Sequence, residues 1–192
     1  MMKRIVLLLC AAAFLAGCGS SNNSSTRVAS VPTVLPQART PDEWAKRVVD
    51  RFLRPLNRDL RIVNGLNNPT VLVYLTNQNP TTVRIARTRL ADLAQCTNKL
   101  VAIGPPPPGR PALARVNTSF RKACTNYVRL ASTLQKATLF LTSGRSDVIA
   151  RGQKILRSAN APGNAAARDY VAGIKVAQRL PEFRRAGLRP SI

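Results

Sequence analysis

"LARVNTSFRKACTNYVRLASTLQKATLFL", residues 113 to 141, decides how the rest of the chain is read. Leu113, Val116, Phe120, Ala123, Tyr127, Leu130, Leu134 and Leu141 recur at steps of three, four and seven, with Thr138 at the remaining turn. At about 100° per residue these positions share one side of an α-helix. Arg115, Lys122, Arg129 and Lys136 stand seven apart on its outside. A heptad with an apolar seam and a basic exterior implies packing against other helices at shallow angles. The expected fold is therefore all-α, an antiparallel four-helix-type bundle over residues 40–180.

On the N-terminal side of this helix, "IGPPPPGRP" (103–111) is a stiff polyproline segment that cannot continue a helix and reads as a connector. Binding through PxxP grooves belongs mainly to cytoplasmic signalling. Asn79-Pro80 pairs a cap with proline at the first helical position, opening a helix expected from Pro80 to Ile103. Its buried stripe is Val83, Ala86, Leu90, Leu93, Ala94, Leu100 and Val101. Asn68-Pro69 starts a shorter element to Asn77. Its "TVLVYLT" has strand-forming residues, but no second alternating segment exists to pair with it, so a helix is expected.

Thr40-Pro41-Asp42-Glu43 has the form of a capping box with proline at N1. Ala45, Val48, Phe52, Leu56, Leu60 and Val63 follow on one face. Arg47, Arg51, Arg54, Arg58 and Arg61 form a ridge on the other, and Pro55 is expected to bend the helix. Beyond residue 141, Gly144 stops the long helix and Ser146-Asp147 starts another that buries Val148, Ile155 and Ala159. "APGN" (161–164) should interrupt it. A last helix over 165–180 buries Tyr170, Ile174 and Ala177, and after Pro181 residues 181–192 read as a loose tail.

The N-terminus bears on location. Lys3 and Arg4 precede an apolar run from Ile5 to Leu15, too short to span a bilayer, and then Leu15-Ala16-Gly17-Cys18. These four residues resemble the lipobox of bacterial lipoproteins. The resemblance implies that residues 1–17 are a signal peptide, that Cys10 is discarded with it, and that acyl chains such as palmitate are attached at Cys18. Residues 18–39, rich in Ser, Asn and Thr, would be a flexible tether. The same segment also fits an ordinary secretory signal with an incidental cysteine. Gly19 stands where an inner-membrane retention signal would typically be Asp. The implied location is the extracytoplasmic face of a bacterial cell membrane or outer membrane, held by lipid. The body in turn resembles the small helical lipoproteins of bacterial envelopes, a likeness of architecture that transfers no binding residues.

In that exported setting Cys96 and Cys124 are expected to form a disulfide. Two buried free thiols, or a redox or metal pair lacking any CxxC spacing or histidine, are the alternatives.

The chain has 30 Lys and Arg against 8 acids and no histidine. Once residues 1–17 are removed, 28 cations face the same 8 acids over 175 residues, enough for one domain. Such an excess attracts polyanions and anionic headgroups, although a GC-rich genome would also enrich Arg. Without histidine, every Ser-His or Cys-His arrangement is excluded. Asp42, Glu43 and Asp147 read as helix-start acids; Asp50, Asp59, Asp92 and Asp169 read as surface pairs. Ser119 and Lys122 match an S-x-x-K spelling, but no K-T-G companion exists and both lie in the heptad helix. Gly152, Gly163 and Gly173 form no phosphate loop and read as helix-packing or helix-breaking positions.

No enzyme activity, metal or cofactor is expected. The leading reading is a binding or structural module that contacts anionic envelope material through Arg47, Arg51, Arg54, Arg58, Arg61, Arg115, Lys122, Arg129 and Lys136. A solvated helix face is the ordinary meaning of either basic row. The anionic material would be phospholipid headgroups or phosphate-bearing polymers. Nucleic acid fits least, since no surface aromatics interleave with the arginines. The second reading is a protein-interaction subunit of an envelope complex using a helical groove.

Overall fold

A computed structural model of the chain describes residues 35–66 and 68–189. The segment expected to be a signal peptide, Cys10, Cys18 and most of the expected tether lie outside them, as do residues 190–192. Among the described residues the regular structure is entirely helical, without a strand.

The helix opened by Pro111 runs to Leu141 (α6, Pro111–Leu141), and every seam position from Leu113 to Leu141 is buried, Thr138 included. Cys124, Ala131 and Ala137 widen the buried face, so α6 is enclosed on more than the narrow seam of a two-stranded coil. It packs most extensively on α8 (Asn160–Arg179) and then on α7 (Ser146–Ser158), with α4 (Pro80–Ala94) and α5 (Cys96–Ile103) also against it. Gly173 of α8 faces the Phe120 ring of α6. A Cβ there would lie 2.6 Å from Cε1 of Phe120, so any larger residue would force the buried ring to shift. Phe120 in turn contacts Phe52 and Tyr170, with ring centroids 5.5 and 5.9 Å away. Full burial of Phe52 and Phe120 contributes roughly 1.5–3 kcal/mol each. The Cys96–Cys124 disulfide ties α5 to α6 across a sequence separation of 28, a cross-link expected to add about 3–4 kcal/mol.

The N-terminal stretch starts as α1 (Pro41–Arg47), capped by the Thr40 hydroxyl accepting from the Glu43 amide at 3.2 Å. It does not continue as one α-helix. Val48–Leu53 is π-helical, and the Arg54 amide bonds the Val49 carbonyl five residues back, before α2 (Arg54–Gly65) resumes. Pro55 supplies the reason: it has no N–H to offer the Arg51 carbonyl, and its ring crowds that carbonyl, so the preceding turn widens. The wide turn brings Val49 and Leu53 inward beside Val48 and Phe52, giving a broader buried face than a regular period allows.

Four further expectations are corrected. The helix expected over 80–103 breaks at Gln95 into α4 and α5, and the change of phase buries Ile103 while Val101 stays 47% exposed. The interruption between α7 and α8 is Ala159 alone; Pro162 sits in the first turn of α8, where its missing N–H costs nothing. Residues 181–189 are not loose: α9 (Pro181–Arg185) buries Phe183, whose ring meets Trp44 edge-on at 5.9 Å. Residues 35–38, expected to belong to a flexible tether, are instead packed on the body: the Leu35 amide bonds the Ala102 carbonyl and Ala38 is buried. The short α3 (Pro69–Thr76) is helical as read, with the Asn68 side chain capping the Thr70 amide.

Candidate anion-binding surface

Arg115, Lys122, Arg129 and Lys136 all lie exposed on α6, on the side away from its buried face. At 1.5 Å per residue the row is about 31 Å long, with a cation about every 10 Å. Arg121 adds a fifth exposed cation, which the sequence reading passed over. Residues 111–141 contain no Asp or Glu. Among the described residues none of these five cations has an ion-pair partner.

The arginine ridge of α1 and α2 differs in kind. Arg47 departs from the expected solvated row: its guanidinium is half-buried, donating to the Pro36 carbonyl and to Glu43. Residues 35–38 run past it and supply that carbonyl. Asp50 holds both Lys46 at 2.7 Å and Arg54 at 2.6 Å. Arg58 reaches Asp59 only at 4.0 Å, while Arg51 and Arg61 stand exposed with no ion-pair partner among the described residues. The Arg39 amide bonded to its carboxylate, and then Arg47, hold Glu43 below the ordinary value of 4.5. The Lys46 ammonium does the same for Asp50 below 3.8.

Asp59 corrects another expectation. It is fully buried instead of lying in a surface pair, with Arg89 Nη1 at 3.1 Å and Lys99 Nζ at 3.5 Å. Lys99 also donates to the Asp92 carbonyl at 2.9 Å, and Arg89 reaches the Asp92 carboxylate at 3.4 Å. The cluster ties α2 to α4 and α5. Its signal was present in the sequence, because Asp59 sits three residues after Leu56 and four before Val63, on the apolar face. Glu182, which no sequence argument singled out, is buried against Arg110, and the exposed Arg185 reaches Asp42 at 2.8 Å.

Among the described residues no three His, Cys, Asp or Glu side chains come together as a metal-binding group. Burial raises the phenol pKa of Tyr127 and lifts that of Tyr170 to about 12, so both stay neutral donors. Among the same residues no helix is long and apolar enough to cross a membrane. What the arrangement can do is attract anions along an unneutralised row. No family model, no curated protein and no solved structure matches the chain.

Proposed function

We propose that this protein is a lipid-anchored, extracytoplasmic, non-enzymatic module that contacts anionic envelope material through the exposed face of α6. The observation that carries the reading is the row Arg115, Lys122, Arg129 and Lys136 with no acid on its helix. A straight row about 31 Å long suits a flat array of phosphate headgroups, where each cation near the surface contributes about 1 kcal/mol. The lipobox residues Leu15 to Cys18 support the anchor, which would hold the protein at a bilayer. We also read α4, α6, α7 and α8 as the four-helix-type antiparallel bundle, with α6 packed against the other three.

Changing Arg115, Lys122, Arg129 and Lys136 together to Gln should leave the fold intact and weaken binding to anionic phospholipid vesicles at least about tenfold. The salt dependence should flatten as well. The control of equal charge changes Arg51, Arg54, Arg58 and Arg61 to Gln and should cost much less. Equal losses in both variants would leave bulk charge as the only cause. The anchor has its own check: acyl labelling in cells should vanish in Cys18→Ala, and labelling that persists overturns it.

A further inference from the structure

On the buried side of α6, away from the basic row, a groove runs between α2 and α8. It consists of two hollows of about 410 and about 290 Å³ that meet at Asn64, which lines both. Tyr127, Leu130 and Leu134 of α6 line it from below. The rim is made of carboxamides: Asn57 and Asn64 from α2, Asn160 and Asn164 from α8, with Arg61 between the first two.

Three features set this groove apart from a gap left by splayed helices. First, asparagine is a poor helix former, yet Asn57, Asn64 and Asn164 lie inside helices, where none of them caps an end. Among the described residues Asn64, Asn160 and Asn164 make no side-chain hydrogen bond, so their donors and acceptors are free for a ligand. Second, the Tyr170 hydroxyl donates to Asn57 Oδ1 at 2.7 Å, which fixes that carboxamide and leaves its amide protons to face a ligand. Third, Gly163 is not required by packing. A Cβ there would meet only Leu130 side-chain atoms, at 3.7 and 3.8 Å, an ordinary contact, in contrast to the collision at Gly173. A glycine that costs helix stability without relieving a clash keeps the hollow above Leu130 open.

We infer that this groove binds a short oligosaccharide bearing acetamido groups. A carboxamide presents an N–H donor beside a C=O acceptor, the complement of an acetamido group or of two neighbouring hydroxyls. The apolar floor takes the acetamido methyl and the C–H faces of the rings. No carboxylate lines either hollow, and Arg61 is placed to meet an acidic substituent on the sugar. This goes beyond the anion reading and uses a different face.

The probe is the β-1,4-linked tetramer of N-acetylglucosamine, titrated calorimetrically into the full chain in detergent micelles. Its de-acetylated counterpart and the β-1,4-linked glucose tetramer are the comparators. The acetylated tetramer should bind at least about tenfold more tightly than either, the equivalent of one or two hydrogen bonds. Asn64→Leu with Asn164→Leu, both at exposed positions that leave folding intact, should weaken it about tenfold. Gly163→Ala should raise the melting temperature while weakening binding, a combination that a purely structural glycine would not give. The α6 Gln variant should bind the tetramer like the wild type, so this inference and the anion reading fail separately. Equal binding of all three tetramers, no binding of any, or wild-type affinity in the Asn variants overturns the inference.

Discussion

The two basic rows look alike in the sequence and differ in the folded chain. Residues 42–61 carry six cations among four acids, whereas residues 111–141 carry five cations and no acid. On α1 and the turns that follow, the acids fall at the i,i+4 spacing that lets side chains meet on a helix: Glu43 with Arg47, Lys46 with Asp50, and Asp50 with Arg54. The ridge is thus neutralised from within at Arg47 and Arg54, with Lys46 beside them, and not at Arg51 or Arg61, while no acid of its own helix offsets any cation of the α6 row. Arginine density is therefore a poor guide to exposed charge; what decides is where the acids stand relative to it. Such surface pairs stabilise the fold by only about 0–1 kcal/mol each, so their main consequence is for what the surface attracts.

The largest effect should come from the one acid of the ridge region that is not on its surface. Asp59→Ala would leave Arg89 and Lys99 facing a buried vacancy, at a cost of about 3 kcal/mol, near the low end for a broken buried pair because both cations are about one-quarter exposed. Asp50→Ala, which only loosens surface pairs, should cost about 0.5 kcal/mol. Urea unfolding of the two variants checks the contrast. Equal losses would mean that Asp59 is no more than another surface partner and that the region is tied to α4 and α5 by apolar contacts alone.

Legibility followed the same division. The seam of α6 was readable at every position because one unbroken period governs 31 residues and no proline or acid disturbs it. The N-terminal stretch was readable in outline only. Pro55 announced a disturbance, but not that the preceding turn would widen and draw Val49 and Leu53 into the core. Gln95 carries no breaking chemistry of its own, so the phase change that exposes Val101 had no local signal. Phe183 was misjudged because a five-residue helix shows no period; its burial depends on Trp44, some 140 positions earlier. The asparagine groove was invisible for a related reason, since its rim is assembled from helices more than a hundred residues apart.

The smallest effect sharpens the comparison most, because it asks whether the ridge can be turned into a second bare row. Glu43→Gln with Asp50→Asn removes two charges and little volume, and Gln at 43 can still accept from the Arg39 amide. Both carboxyl pKa values lie below their ordinary values of 4.5 and 3.8 in the folded chain. Their contribution to stability is therefore complete above those values and is lost as pH falls through the lowered ones. The double variant should melt slightly lower than the wild type at pH 7, with the gap closing on acidification below about pH 4. At pH 7 it should also bind anionic vesicles a few-fold more tightly than the wild type, because Lys46, Arg47 and Arg54 would no longer be neutralised by neighbours. In a chain that already has the α6 changes to Gln, the same two substitutions should restore part of the lost vesicle binding. If they restore none while the melting gap behaves as expected, the pairs are real but the ridge faces away from the surface the protein binds. The difference between the rows would then lie in their orientation as much as in their acids.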